Sequence, residues 1–429
     1  MKGIISENIC IIPFIHLGTK PDGVARVCCM APSLEITQDS QKLSLPSTTI
    51  DQVWNSSYLR ALRQRMLAGE KLKECSACWD QEVAGPHSKR LRENRKYLHA
   101  NEHRLLEASR DAGKVSSPPI YFDLRLGNKC NLRCRTCNPI FSHSWLSELE
   151  GHGLNDFLPS TLPDIQGLVS RAAEMKPWYQ EEFFNQLEPI LPFLQEIYVS
   201  GGEPMIISEL ENFLILCARR NFAKNIELRL NSNVSVFKES FVSALSCFKK
   251  VSFGASIDAF GIKNDWLRAP SKWKNIIANL SALYIVAQSN SHWDLTVNIT
   301  VSAYNALYVD ELIVFLKENY PKLTFTFDFV ARPTYMALDF LPPSLATQAT
   351  LKLTQLEGLA LSKHEKMYVS QLKGYLEGAR NIEASTLLRQ FYNHTEVVDQ
   401  WRNENAKTIF PELFALLEGH SPPLKEVDY

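Results

Sequence analysis

Six short segments between residues 120 and 331 alternate apolar and polar residues, which is typical of β-strands with one buried face. Helix-compatible stretches separate them, including 206–221, 236–249, 272–289 and 307–318. A regular alternation of strands and helices predicts a parallel sheet built from βαβ units. In chain order, the predicted strands are IYFDLRLG, EIYVSGG, IELRLNSN, KVSFGASID, LTVNITVS and LTFTFDFVA.

Six such units predict an α/β fold in the form of a partial (β/α)6 TIM-like barrel. A complete eightfold barrel needs two more strands, whereas the chain after about residue 345 has helical periodicity instead. We therefore expect four regions: a cysteine-rich module at 1–86, a linker helix at 87–116, the barrel core at 117–336 and a helical region at 337–429.

The composition is that of an ordinary globular protein. The chain has 429 residues, 45% of them hydrophobic, with 46 basic and 47 acidic side chains. A large core can be buried, and the balanced charge gives no general electrostatic reason to bind nucleic acid or an anionic membrane. The first residues, MKGIISENICIIPFIHLG, fit neither a secretory signal nor a spanning helix, and no later run is long enough to span. We expect a cytoplasmic protein without a membrane partner.

The cysteines are grouped in a way that indicates metal or redox chemistry. Ten cysteines in a reducing compartment are unlikely to form a disulfide framework. Cys217 and Cys247 stand alone and fit small buried core residues. The segment CNLRCRTC follows the first predicted strand, at the end of the sheet where ligands gather in parallel α/β proteins. The two groups are Cys130, Cys134 and Cys137 in that segment, and Cys10, Cys28, Cys29, Cys75 and Cys78 upstream.

Three thiolates can hold an iron–sulfur cluster by three of its four irons and leave the last iron open to a small ligand. Zinc is a competing explanation, because His143 in FSHSW could join the three cysteines as a fourth ligand. A purely structural cluster is a further alternative, although such clusters are usually closed by a fourth cysteine.

CNLRCRTC matches the Cys-x3-Cys-x2-Cys signature of radical S-adenosylmethionine (radical SAM) enzymes, and the resemblance continues along the barrel. SGGEP, at the end of the second strand, resembles the Gly-Gly-Glu element of that family. LNSN and ASIDAFG end the third and fourth strands, and an arginine follows in NDWLRAP. The resemblance implies a [4Fe-4S] cluster on Cys130, Cys134 and Cys137, with S-adenosylmethionine contacted by Gly201, Gly202, Glu203, Asn233, Ser256 and Arg268.

The segment ASIDAFG departs from the family's Ser-Ile-Asp-Gly pattern, because Ala259 stands where the family has glycine. This weakens any assignment to Asp258 more than the assignment of Ser256 to the cofactor ribose. Ordinary strand-end and turn chemistry is the alternative for Asn233, Ser256 and Asp258.

The resemblance also implies an activity. The open iron chelates S-adenosylmethionine, and an electron delivered by an external reductant such as flavodoxin or ferredoxin cleaves it to methionine and a 5′-deoxyadenosyl radical. That radical abstracts a hydrogen atom from the substrate. A peptide is the first expectation for the substrate and a small metabolite is nearly as plausible, because no peptide-docking domain is evident in the sequence.

The upstream cysteines resemble the Twitch or SPASM auxiliary-cluster module of these enzymes, placed here before the barrel. The pattern is Cys10, then Gly23-x4-Cys28, then Cys75-x2-Cys78. The resemblance implies a second, auxiliary [4Fe-4S] cluster closed by four thiolates. Zinc on the same thiolates is the alternative.

Cys29 and the segment 87–114 each allow two interpretations. Cys29 could replace Cys28 as a ligand or be an inert neighbour. The segment 87–114 is rich in Arg, Lys and His and could contact RNA, but its interspersed acidic residues favour a solvated linker helix. An RNA-modifying radical SAM enzyme and a zinc-stabilised binding scaffold are therefore the alternative functions.

Overall fold

The computed structural model describes the chain in six stretches, and parts of all four predicted regions lie outside them. Outside the described residues are 1–5, 32–33, 46 and 86 of the cysteine-rich module, 87 of the linker, 153–164 of the barrel core, and 379–383 and 419–429 of the C-terminal region. The described stretches are 6–31, 34–45, 47–85, 88–152, 165–378 and 384–418.

The six predicted strands are present, and the α/β prediction is confirmed. They follow one another in chain order within an eight-stranded sheet of order β10-β9-β8-β7-β6-β5-β1-β2. The pairs β5–β6, β6–β7 and β9–β10 are parallel, as helical crossovers require. The strands are β1 His16–Thr19, β2 Ala25–Arg26, β3 Thr37–Gln38, β4 Gln41–Lys42, β5 Tyr121–Arg125, β6 Glu196–Ser200, β7 Glu227–Ser232, β8 Lys250–Ser256, β9 Trp293–Val301 and β10 Thr324–Phe329.

Each of β5 to β10 is followed by at least one helix, as a partial (β/α)6 barrel requires, and the C-terminal region is helical as predicted. The α-helices are α1 Ile12–Ile15, α2 Ile50–Trp54, α3 Ser57–Leu67, α4 Ser76–Ala84, α5 Lys89–Glu93, α6 Glu102–Arg110, α7 His143–His152, α8 Ile165–Glu174, α9 Glu181–Leu187, α10 Ser208–Arg219, α11 Glu239–Leu245, α12 Ile262–Leu267, α13 Trp273–Ser289, α14 Val309–Asn319, α15 Pro343–Gln355, α16 Lys363–Glu377, α17 Ala384–Arg402, α18 Ala406–Ile409 and α19 Pro411–Glu418.

The cysteine-rich N-terminal segment contributes two strands to the same sheet. Strand β1 pairs in parallel with β5, so that His16 faces Tyr121, and β2 returns antiparallel to β1. The hairpin between them turns at Gly23, whose φ of 82° is accessible to glycine at no steric cost. The sheet therefore continues beyond the first predicted barrel strand.

The chain divides into two compact units. Both contain barrel segments, since the division falls within β7 and β8. Unit 1 comprises Met1–Lys129, Met175–Leu230 and Lys238–Val251, and unit 2 comprises Cys130–Glu174, Asn231–Phe237 and Ser252–Tyr429.

The strands of unit 1 have one apolar face and one polar face. On β5, Phe122 and Leu124 are buried on one side, and Asp123 and Arg125 alternate with them on the other. Parallel strands that are covered by helices on both sides are normally apolar on both faces. The alternation therefore indicates that the polar face lines a space for water or a ligand.

Unit 2 contains a small apolar cluster that joins the N-terminal part of the unit to its C-terminal helices. Trp145, Leu149, Val169 and Val398 are buried together, and Cys137 packs against them. Within the described stretches, no helix is long and apolar enough to cross a membrane.

Candidate functional site

The loop that carries CNLRCRTC follows β5 and is held by hydrogen bonds within unit 2. The backbone N–H of Arg133 donates to the carbonyl of Ala269 at 2.7 Å, and that of Arg135 donates to Leu267 at 2.8 Å. The Trp145 indole donates to the Cys134 carbonyl at 2.7 Å. These hydrogen bonds fix the positions of the cysteine side chains, although the loop has no regular secondary structure.

The three thiols of this loop lie close enough to influence one another. Burial raises the pKa of Cys134 and that of Cys137, and the Cys134 and Cys130 side chains raise the pKa of Cys137 further. Buried thiolates that repel one another are stable only beside a strong positive charge, and an iron–sulfur cluster supplies that charge. The residue types and their placement therefore fit a cluster held by three cysteines.

Asn233, which the resemblance assigns to the cofactor ribose, lies beside Cys130. It follows β7, is 6% exposed, and its Nδ2 is 3.8 Å from Cys130 Sγ and 3.0 Å from Asn131 Oδ1. Ser256 is the last residue of β8 and is half-buried. Both residues belong to strand ends, where a parallel α/β fold places its ligand contacts.

Arg268 is buried next to the cysteine loop and is oriented by Asp258. Its Nη1 donates to Asp258 Oδ2 at 2.7 Å, while Asp258 Oδ1 accepts from the Thr300 backbone N–H at 2.8 Å. Burial alone would lower the pKa of Arg268, but the Cys134 and Asp258 anions outweigh it and the pKa is raised. A guanidinium that stays charged here can bind an anion beside the thiols.

Arg268 also has a donor that the protein does not use. Its Nε is buried and has no hydrogen-bond partner within the described residues. An unsatisfied buried donor on a charged group is costly, which favours a ligand that accepts from it. A carboxylate such as that of S-adenosylmethionine fits this donor.

In unit 1, the SGGEP turn can be built only with glycine at position 202. Gly201 and Gly202 have φ of 88° and 58°. A Cβ at position 202 would lie 2.2 Å from the Lys129 carbonyl oxygen. The turn therefore brings backbone against backbone, and the Glu203 N–H donates to that same carbonyl at 2.8 Å.

The side chain of Glu203 closes this turn. It is 1% exposed, and its Oε1 accepts from the Met205 N–H at 3.0 Å, which caps the short 3-10 helix Pro204–Ile206. A carboxylate is a strong acceptor for an ammonium group, the role that the resemblance implies for Glu203.

The upstream cysteines meet at one cavity in unit 1. Burial raises the pKa of Cys10 to about 12, and the neighbouring Cys75 and Cys78 raise it as well. Burial and Cys78 likewise raise the pKa of Cys75 to about 11. The cavity is lined by Cys10, Cys28, Cys75 and Cys78 together with Ile12, Pro13, Val27, Met30, Ala31, Leu34, Met66, Trp79, Lys89 and Arg90.

Cys29 is not among the residues that line this cavity. The Lys89 ammonium donates to Cys29 Sγ at 3.0 Å. A hydrogen bond from Cys28 and the charge of Lys89 lower the pKa of Cys29 to about 5. The cavity lining favours Cys28 as the fourth thiol of the upstream set, whereas the lowered pKa gives Cys29 the thiolate character of a metal ligand.

Within the described stretches, no group of three or more His, Cys, Asp or Glu side chains is arranged to hold a metal ion, and this applies equally to both cysteine sets and to zinc and iron. His143, the proposed fourth zinc ligand, is exposed, and its Nδ1 accepts from the Cys130 backbone N–H at 3.0 Å.

The segment predicted to be a linker helix has both buried and exposed cations. Arg90 is buried, forms an ion pair with Glu82 at 2.5 Å and donates to the Ile9 carbonyl at 3.0 Å. Arg104 is also buried and donates to the Pro118 carbonyl at 2.8 Å. These two arginines satisfy internal acceptors and do not contribute to a basic surface of the kind that RNA binding needs.

Arg135, which lies between two predicted ligand cysteines, is a site residue that the sequence did not reveal. It is fully buried, its Cζ is 3.4 Å from the centre of the Trp266 ring, and one Nη contacts both Asp399 at 2.5 Å and Glu404 at 2.6 Å. Both carboxylates belong to the C-terminal helical region, because Asp399 lies in α17 and Glu404 follows it. That region therefore anchors the cysteine loop.

Replacing Arg135 by methionine is expected to lower the free energy of unfolding by about 3–5 kcal/mol, because two carboxylates lose their shared buried cation. Urea denaturation followed by circular dichroism measures this loss. Arg389→Met is the matched control, since Arg389 is exposed on α17 and its removal should cost less than about 0.5 kcal/mol. Equal stabilities of the two variants would contradict the anchoring role.

Comparisons with known proteins give matches among solved structures alone. No protein-family model and no curated protein matches the chain. Streptococcus suis SuiB bound to precursor peptide SuiA is 18% identical over 60% of this chain and 52% of that chain, with a TM-score of 0.37. Native anSMEcpe with bound AdoMet is 18% identical over 54% of this chain and 58% of that chain, also at 0.37. SuiB bound to S-adenosylmethionine is 15% identical over 83% and 72%, at 0.35.

The chain thus spans little more than half the length of the first two structures. TM-scores at this level do not establish a shared fold, so the function proposed below rests on the residues of this chain.

Proposed function

We propose that the protein is a radical SAM enzyme. The observation that carries the proposal is the loop of Cys130, Cys134 and Cys137 after β5, with its thiols close together beside the buried Arg268. Three cysteines leave one iron of a [4Fe-4S] cluster without a protein ligand, which is the vacancy that S-adenosylmethionine needs.

The roles that the resemblance implies give the proposed binding chemistry. The three thiols would hold the cluster, Arg268 would bind the cofactor carboxylate, and Asn233 and Ser256 would contact its ribose. Gly201 and Gly202 would allow close backbone approach, and Glu203 would accept from the cofactor ammonium. When bound, the cluster and S-adenosylmethionine would supply one-electron cleavage of the cofactor and abstraction of a substrate hydrogen atom.

The protein's own contribution is orientation and desolvation. Asp258 fixes the Arg268 guanidinium by a 2.7 Å hydrogen bond, so the anion-binding group is in place before a ligand arrives. Cys130, Asn233 and Arg268 are each less than 9% exposed, which keeps water from the cofactor's reactive part.

We further propose that Cys10, Cys28, Cys75 and Cys78 hold an auxiliary [4Fe-4S] cluster, supported by the cavity that they line. With four protein thiolates the cluster is closed and cannot bind substrate directly. It would instead exchange an electron with the substrate radical. In this proposal 1–86 form a Twitch/SPASM-like region, 87–116 a connection, 117–336 the catalytic core and 337–429 a supporting helical region.

The substrate that we propose is a peptide or a small metabolite, and the electron donor is a cytoplasmic reductant such as flavodoxin or ferredoxin. The experiment is anaerobic reconstitution, reduction with dithionite and quantification of 5′-deoxyadenosine. A brown protein with about eight irons per chain that cleaves S-adenosylmethionine is expected. A colourless protein that binds zinc and leaves S-adenosylmethionine intact would instead support the scaffold alternative.

Replacing Cys75 and Cys78 together by alanine is expected to lower the iron content from about eight to about four per chain, because the two remaining thiolates hold a four-iron cluster poorly. Cleavage of S-adenosylmethionine should continue, since neither residue is among the thiols that would hold the cofactor-binding cluster. Iron analysis and 5′-deoxyadenosine assays on the same sample measure both quantities. Unchanged iron in the double variant would exclude these two cysteines as cluster ligands.

A further inference from the structure

Three side chains on the polar face of unit 1 form a cationic and aromatic surface that the cofactor chemistry does not use. Arg125, Tyr198 and Arg229 come from the adjacent strands β5, β6 and β7. Both guanidinium groups flank the same ring, with Cζ 5.5 Å and 5.1 Å from the Tyr198 centroid. The side chains of Arg125 and Arg229 are 24% and 39% exposed, so a ligand can reach them.

The cations near Arg125 exceed the carboxylates that could neutralise them. Asp123, whose side chain is 1% exposed, is shared by Arg125 at 3.1 Å and Arg26 at 3.4 Å. Arg26 comes from β2, and its Nε is buried without a hydrogen-bond partner in the described part of the chain. One carboxylate between two guanidinium groups leaves a net positive charge in a poorly solvated place.

Cations also outnumber carboxylates around Arg229. Glu196 is 1% exposed and accepts from Arg229 at 3.1 Å and from Lys96 at 2.6 Å. Lys96 is shared with Glu227 at 2.6 Å, and Lys249 contacts Glu227 at 3.5 Å, so three cations meet two carboxylates in this group of described ion pairs. Within the described stretches, Arg229 meets a carboxylate through one nitrogen, although a guanidinium has five donors.

We propose that Arg125, Tyr198 and Arg229 bind a carboxylate group of the substrate. That the ligand is the enzyme's substrate rests on the proposed radical SAM function, whereas the carboxylate site itself does not. A carboxylate matches the planar donor fork of either arginine and reduces the excess positive charge beside it. The carboxylate can come from an acidic peptide side chain or from a small free acid.

Isothermal titration calorimetry on the anaerobically purified, cluster-loaded full chain tests this proposal without S-adenosylmethionine. Two matched probe pairs are used: the capped pentapeptide Ala-Ala-Glu-Ala-Ala against its glutamine counterpart, and glutarate against glutaramide. The charged member of at least one pair should bind about tenfold more tightly, the effect of a charge-assisted hydrogen bond. A preference within the first pair identifies a peptide carboxylate, and one confined to the second identifies a small acid.

The variant Arg229→Gln should remove this preference, and Arg125→Gln provides a second test in case either variant fails to fold. Arg219→Gln is the charge-matched control, because Arg219 is exposed at the end of α10. Equal binding of charged and neutral probes, or no binding of either charged probe, overturns the proposal. A preference that persists in both arginine variants also overturns it.

Assays of S-adenosylmethionine cleavage on the same preparations separate this proposal from the function. Cleavage without a carboxylate preference would refute the carboxylate site and leave the radical SAM function intact. A carboxylate preference without cleavage would refute the function and retain the site as one for an anionic ligand.

Discussion

Alanine at Cys134 is expected to abolish reductive cleavage of S-adenosylmethionine, with 5′-deoxyadenosine falling about a thousandfold or more. Two thiolates hold a four-iron cluster poorly, and loss of the cluster removes both the electron path and the cofactor's binding iron. Alanine at Cys130 or Cys137 should have the same effect, because the structure gives all three thiols one environment in unit 2.

Iron content distinguishes this outcome from general misfolding. The Cys134→Ala protein should retain about four irons from the auxiliary cluster, and its circular dichroism should be unchanged. Cys247→Ala is the matched control, since Cys247 lies outside both cysteine sets and is exposed, so its prediction as a buried core residue was wrong. Substantial cleavage by the Cys134 variant, or equal loss in the Cys247 variant, would show that the loop does not hold a catalytic cluster.

The sheet could be predicted because its strands alternate. In LTVNITVS, apolar positions face helices and polar positions face the opposite side, and the structure places this run in β9. The same alternation also predicts that one face of the sheet is polar, beyond locating the strands. Since a parallel sheet buried on both faces has little need of polar residues, alternation on every strand already indicated a polar, ligand-accessible face.

Strand β1 could not be predicted in the same way. Its sequence, HLGT, is four residues long and contains a glycine, so it has neither the length nor the β-branched content of a strand signal. It is a strand because it pairs with β5, more than a hundred residues later. Tertiary pairing of this kind overrides local propensity.

Within the candidate site, an ion-pair partner could be predicted from the sequence only where it lies nearby in the chain. Arg268 and Asp258 are ten residues apart, and an arginine buried beside a strand end requires an acid nearby. Arg135 and Asp399 are separated by 264 residues, so only the folded chain reveals their contact. The cysteine spacing predicts the position of the cofactor chemistry, but the residues that support the cysteines depend on long-range packing.

The change Gly202→Ala is expected to weaken S-adenosylmethionine binding by about a hundredfold or more, because about 3 kcal/mol of binding free energy is lost when the turn is displaced. A methyl group at this position would lie 2.2 Å from the Lys129 carbonyl oxygen, which is backbone and cannot rotate away. To relieve this contact the backbone at Gly202 would have to move away from Lys129. That movement would displace Glu203, whose N–H donates to the Lys129 carbonyl.

Backbone strain alone must be separated from this contact. Gly261→Ala provides the control, because Gly261 has a similar φ of 62° but nothing lies within 4 Å of the added methyl group. Alanine is strained wherever φ is near +60°, and at Gly261, where ψ is −136°, it takes on backbone strain of about 1–3 kcal/mol without a steric contact. Equilibrium binding of S-adenosylmethionine to the oxidised, cluster-loaded proteins then isolates the effect of the contact. Wild-type affinity in Gly202→Ala would exclude the SGGEP turn from the cofactor site, and an equal loss in both variants would assign the effect to strain.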